Sequence, residues 1–418
     1  MSRGGLGRRR QSRTGFCWFW SAGGQTDLPS HRRGTQSRQS RQEKLGVANL
    51  TDLWLIFGMQ MRGLGRGGHR RWGGLGCVAS VLVLTTNCGS SGGGGAGGDG
   101  GMQDDSSSSG GSGSSSGGSG GAPVTLASGQ SGPIGIAVDS TSAYWTNETG
   151  KTVMKVPIGG GAPITLASAQ SSPSGIAVDA TSVYWTDFAN SAGVIKDRID
   201  GGLLDTLASG QSYPGAIAVD TTNAYWTNSE NGAAGVGTVM KVSLSGGNAV
   251  TLASGQDNPS GIAVDGANVY WVCFGSTSTN GTVMKVPLGG GVLTTLAGGQ
   301  SAPQSVAVDA TSVYWTTFGA AGNVVKVPVG GGPSTTLASG QSAPAWLVVD
   351  GESVYWTNYG TGTTNGALMK VALGGGTLIT LAGTQANPSG IAVDATSVYW
   401  VTGNPGSSNG SVMKLTPK

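Results

Sequence analysis

The residues of this chain that could do chemistry recur in sevens. Past residue 121 an aspartate closes each copy of a short apolar element: Asp139, Asp179, Asp220, Asp265, Asp309, Asp350 and Asp394. Such a set could be a metal ring or a set of turns. Turns explain its presence in every copy more simply, the carboxylate accepting backbone N–H bonds in an Asx-type turn. The recurrent lysines from Lys155 to Lys414 read as solvated residues of an outer strand, and glutamines such as Gln130 and Gln341 as turn residues. Cys273 is the single cysteine after residue 121, so no disulfide framework and no Cys/His metal site exists there. It reads as a partly buried thiol with no histidine to activate it. Both histidines, His31 and His69, precede residue 122. Ser-His-Asp catalysis, histidine acid–base work and histidine-held metals are therefore excluded from the repeat region. A carboxylate-held metal hydrolase stays open, with Glu148, Glu230, Glu352 and several aspartates as its material, but no pairing among them has diagnostic spacing. No catalytic residue, metal ligand or cofactor is assigned.

The elements that must position these residues repeat with a period near 42. A Tyr-Trp pair returns at Trp145, Trp185, Trp226, Trp271, Trp315, Trp356 and Trp400, with gaps of 40 to 45 residues. A Thr-Leu-Ala element returns from Leu126 to Leu381. Alternation and turn residues divide each copy into four short strands: A (S-G-I-A-V), B (V-Y-W-T), C (V-M-K-V) and D (x-T-L-A). Four strands in 40–45 residues make a propeller blade. Adjacent side chains on a strand point to opposite faces, so each Tyr-Trp pair puts one aromatic on either side of its sheet, as a blade between two neighbours requires. The repeats open on a D segment at 122–128 and finish on a C segment at 410–415. The expected fold is all-β: a seven-bladed β-propeller, four antiparallel strands per blade, closed by a mixed blade of N-terminal strand D with C-terminal strands A to C.

The motif P-S-G-I-A-V-D-A-T-S-V-Y-W-T-D at 173–187 resembles the YWTD repeat of the low-density-lipoprotein-receptor class B family, and NHL-like bacterial propellers have similar repeats. The resemblance covers residues 122–418 and implies a propeller that binds proteins. Three departures stand against carrying a ligand over. The receptor propellers have six blades, the turn after the first aspartate is shorter here, and the final Asp survives as Asp187 alone. Elsewhere that place holds Asn147, Asn228, Cys273, Thr317, Asn358 or Thr402.

Ahead of the repeats the composition changes. Residues 1–121 hold 14 Lys+Arg and 6 Asp+Glu, whereas 122–418 hold 10 and 15, net −5. An acidic repeat region argues against nucleic acid as partner, since a phosphate backbone needs a clustered basic face. Residues 59–88 carry arginines, an apolar core at 75–84 and then Cys88, the layout of a secretory signal whose core is too short to span a bilayer. A cysteine in that place resembles the bacterial lipoprotein signal, although Thr85 and Asn87 stand where that family carries Leu and Ala or Gly. Lipidation at Cys88 is the expectation and plain secretion the alternative. Residues 1–58 read as an over-extended gene start, with a basic nucleic-acid arm as the other reading, and 89–121 as a Gly/Ser-rich flexible tether.

Variation between copies then points to one face. Strands alternate in direction, so the D–A and B–C connections share an end of the ring. The B–C loops differ in length there, and aromatics outside the repeat consensus decorate it: Phe188, Phe274, Phe318 and Tyr359 just after strand B, with Tyr213 and Trp346 in the D–A turns. Exposed aromatics on a rigid scaffold make recognition surfaces. The expectation is a monomeric binding module of the cell envelope, joined to the membrane only through its lipid, with a protein or glycan ligand.

Overall fold

The computed structural model describes residues 121–418 apart from 203, 278 and 405. The signal segment, Cys88, the stretch before it and the tether up to residue 120 lie outside the described residues. Seven four-stranded antiparallel sheets follow one another along the chain, each in the order A-B-C-D. In the first blade these are Pro133–Val138, Ser142–Asn147, Thr152–Pro157 and Ile164–Ala167. The last blade joins Ile391–Val393, Val398–Thr402 and Gly410–Leu415 to Val124–Gln130 from the start of the repeats. The closing pair is antiparallel, Val124 opposite Lys414 and Gln130 opposite Gly410. The seven blades and their mixed closure are those expected from the repeats.

Strand B shows why the pattern folds this way. In the second blade Ser182–Asp187 is buried throughout, so both of its faces need an apolar partner. Tyr144 of blade one packs with Ile176 and Trp185 of blade two. Tyr184 packs with Ile217 and Trp226 of blade three, and so on round to Tyr399 against Ile136 and Trp145. The core of this protein is therefore seven seams between sheets, each taking a Tyr from one blade and a Trp from the next.

Polar links cross the same seams. Trp145 Nε1 donates to Gln130 Oε1 at 3.0 Å and Trp271 Nε1 to Gln256 Oε1 at 2.9 Å, the glutamine coming from the preceding blade each time. Six of these glutamines end strand D, as in Val250–Gln256, and their task is to receive an indole N–H. The threonine of strand B is a second clip. Thr146 Oγ1 accepts the Gly135 N–H at 3.0 Å and donates across the seam to the Ser174 carbonyl at 2.7 Å. Val272 and Val401 lack that hydroxyl. There Ser260 Oγ reaches the Gln304 carbonyl at 3.2 Å, and Ser389 Oγ the Pro133 carbonyl at 3.3 Å. Six of the seven strand C lysines are not solvated charges. Lys241 Nζ donates to the Leu288 carbonyl at 2.7 Å and Lys414 Nζ to the Ile158 carbonyl at 3.0 Å, both on the following blade. Their aliphatic stems cover the seam while the ammonium caps an outer turn.

Candidate ligand-binding faces

At the D–A/B–C end, the residue after strand B is tied to the residue before strand A of its own blade. Phe188 donates its N–H to the Ser172 carbonyl at 2.7 Å, Phe274 to Asn258 at 3.0 Å, Phe318 to Ala302 at 3.0 Å and Tyr359 to Ala343 at 2.9 Å. Glu148 and Ser229 make the same bond to Gly132 and Tyr213. Backbone geometry thus repeats while the side chain at this mouth changes from blade to blade.

The six aromatic candidates separate into three groups. Phe318, Trp346 and Tyr359 share one cluster with Ala343 and Ala345. Phe188 and Tyr213 meet edge-on, ring centroids 5.4 Å apart at 65°. Phe274 is half-buried on the intervening blade four. Tyr213 lies in the D–A turn as expected, at a φ of 53° that bulky residues seldom adopt.

Two candidates are not on the surface. Tyr359 is 2% exposed, and Trp346 is 6% exposed within the inner strand Pro344–Val349 rather than in a turn. Trp346 occupies the place held by glycine in four other blades. At Gly261 a Cβ would already stand 2.9 Å from the Gln304 carbonyl oxygen of the next blade. An indole fits in blade six beside the inner strand of blade seven, which is regular only over Ile391–Val393. Trp346 Nε1 has no hydrogen-bond partner among the described residues. Replacing Trp346 by Ala would open a core cavity, so the residue supports the mouth from beneath and a stability loss accompanies its removal.

Acidic groups surround this mouth. Burial pushes the Glu148 carboxyl up, opposed by the Ser172 hydroxyl that donates to it at 3.1 Å. Asp187 is also pushed up by burial. One oxygen accepts the Ser171 N–H at 3.1 Å, and the other has no partner among the described residues. Cys273 is buried, its thiol pushed up to about 11 by that burial, 3.6 Å from Gln256 Oε1. It is a packing residue.

The opposite end holds the aspartate turns. Asp179 accepts the N–H groups of Thr181 and Ser182 at 2.7 and 2.8 Å on one oxygen and the Tyr184 hydroxyl at 2.7 Å on the other. Burial alone would raise these carboxyls, but the hydrogen bonds outweigh it and hold Asp139, Asp179, Asp220, Asp309, Asp350 and Asp394 below the usual carboxylate range. The Asx-turn reading stands, and the tyrosine partner is new. Its signal was available: Asp and Tyr are five residues apart in every copy, as Gln and Trp are fifteen. Between the inner strands at this end lies a cavity of about 370 Å³, walled by Val138, Val264, Val308, Val349 and Val393 with alanines between them. It lies on the face with the short, near-identical turns, not on the face carrying the aromatics.

Among the described residues no three or more His, Cys, Asp or Glu side chains gather as metal ligands. Glu148 and Glu230 stand in B–C loops and Glu352 in an A–B turn at the other end. Ring, seams and turns together define a seven-bladed β-propeller. No family model and no curated protein matches the chain. Among solved structures it is similar to virginiamycin B lyase from Staphylococcus aureus, 13% identical with a TM-score of 0.56 over 71% of this chain and 98% of that one. A streptogramin B lyase gives 14% identity and the same score over 71% and 97%. The nidogen/laminin complex aligns at 20% identity over 54% and 87%, with a TM-score of 0.43. At these identities the likeness to the lyases is one of fold.

Proposed function

We propose that this chain is a non-catalytic recognition module, secreted and held at the cell envelope through acylated Cys88, whose D–A/B–C face binds a protein or glycan as a monomer. One observation carries the reading. In a ring whose scaffold residues are copied seven times, the position after strand B runs Glu148, Phe188, Ser229, Phe274, Phe318, Tyr359 and Gly403. Packing alone would favour one residue there, as it does at the seven tryptophans. Half-buried Phe188, Tyr213, Phe274 and Phe318 offer stacking area on a rigid frame, with Trp346 and Tyr359 beneath. The resemblance of the repeat to YWTD and NHL-like propellers supports the same role.

The test is a glycan array and an envelope-extract pulldown with the full chain, repeated with Tyr213→Ala and Phe274→Ala. The expected result is saturable binding weakened about tenfold or more by either variant, with Tm nearly unchanged. Unaltered affinity removes these residues from the site, and stoichiometric Ca²⁺ with hydrolysis abolished by chelator overturns the non-catalytic reading. Mass spectrometry of the membrane fraction should find acylated Cys88, and Cys88→Ser should release the protein.

A further inference from the structure

We propose that the cavity at the A–B end of the central channel binds the aliphatic chain of an amphiphile whose head group is neutral or cationic. Its walls are the paired Ala and Val residues of the inner strands, among them Ala137–Val138, Ala263–Val264 and Ala307–Val308. At about 370 Å³ it falls in the size range of small-molecule sites, roughly 300–1,000 Å³. Val308 and Val349 remain partly exposed in it, so the space is reached from solvent. Water there meets few polar partners, and an alkyl chain removes that apolar surface from it.

The polar atoms at the rim are already committed. Asp309 Oδ1 accepts the Thr311 and Ser312 N–H groups at 2.7 and 2.8 Å, and Oδ2 accepts the Tyr314 hydroxyl at 2.7 Å. Asp350 accepts the Glu352 and Ser353 N–H groups, each at 2.8 Å, and pairs with Lys418 Nζ at 2.5 Å. These groups offer a polar ligand no free donor set, whereas the aliphatic wall is open. The lining includes no aromatic ring, so a flexible alkyl chain suits it better than a flat stacking molecule. The head group follows from charge. One aspartate succeeds the last residue of each inner strand, and the described basic groups at this end are Arg198, Lys418, the half-buried Lys370 and six strand C lysines already engaged with carbonyls. A carboxylate head would enter a negative rim, and an ammonium or hydroxyl head would not be repelled.

The experiment uses the full chain and three probes of one chain length, decylamine, decanol and decanoate, each below its micelle concentration, with titration calorimetry as the readout. Saturable binding of the amine and the alcohol is expected, with decanoate weaker by about tenfold. Val308→Phe and Val264→Phe, from two neighbouring blades, each fill part of the space. Each should weaken binding of decanol by about tenfold while the near-UV circular dichroism of the seam aromatics is retained. Should one variant misfold, the other and the head-group series on the unmodified chain still decide. No saturable binding of amine or alcohol, decanoate binding best, or affinities indifferent to a folded Val→Phe variant each overturn the proposal.

Discussion

Asp187 is the residue whose chemistry departs furthest from its counterparts. Where blades one, three and six carry asparagine, Nδ2 donates to the seam glutamine, Asn147 to Gln130, Asn228 to Gln211 and Asn358 to Gln341, each at 3.0 Å. In blade two the equivalent Gln170 oxygen already receives Trp185 Nε1 at 2.9 Å, so an ionised carboxylate in the asparagine's place adds an acceptor where a donor is wanted. Burial raises the Asp187 carboxyl, and the Ser171 and Ser172 N–H groups only partly oppose it. The sign is definite. A group raised in the fold contributes its stability in full below its unfolded value of about 4, and loses it as pH rises through the folded value. Asp187→Asn supplies the missing donor and should stabilise the protein by about 1 kcal/mol at neutral pH. Thermal melts at pH 4 and pH 7.5 would check this: the gain is expected at the higher pH and should shrink at the lower. A variant less stable than the parent at pH 7.5 contradicts the assignment.

At the scale of strands, the seams carry two interchangeable clips. Where strand B holds a threonine, its hydroxyl spans the seam, as Thr186 does to the Gly215 carbonyl. Where it holds Val272 or Val401, a serine at or just before strand A, Ser260 or Ser389, spans it instead. Ser174 occupies the same place as Ser260, but in a blade that already has Thr186. Ser260→Ala should therefore cost about 1–2 kcal/mol by leaving a seam carbonyl without its donor, and Ser174→Ala about half that or less. Denaturant melts of the two variants measure the difference directly. Equal losses would mean that the serine hydroxyls act through packing alone. Strands also explain the misplacement of Trp346. Its neighbours in sequence, Ala345 and Leu347, are buried strand residues, and a side chain between them is taken into the fold with them.

For the whole molecule, closure sets cooperativity. Val124–Gln130 supplies the outer strand of the last blade, and Gln130 also accepts the Trp145 indole of the first. Lys414 ties the same two blades from strand C. Deleting 122–130 removes a ladder, an indole acceptor and the cover of one sheet edge together. The deletion should lower Tm by about 10 °C or more and promote self-association, read by calorimetry and size-exclusion chromatography. Deleting an equal length from 89–121 should leave Tm unchanged. A deletion of 122–130 that melts like the parent would show that the ring holds without its mixed blade.

Much of this architecture was legible in one dimension. The 40–45-residue period, the Tyr-Trp pair and the displaced first strand determined the blade, the blade number and the closure, because each is a local pattern multiplied by a repeat. The turn aspartates were legible for the same reason, their partners lying two, three and five residues away. What only the tertiary structure decided is what crosses a seam over the length of a repeat. The lysines reach carbonyls about one repeat further on, Lys241 to Leu288 for instance, and no local pattern marks that distance as a contact. Burial of Trp346 and Tyr359 depends on how much room two neighbouring blades leave between them. The apolar cavity forms where inner strands from several blades converge, so each Ala-Val pair alone is only a buried strand, and their convergence makes a site.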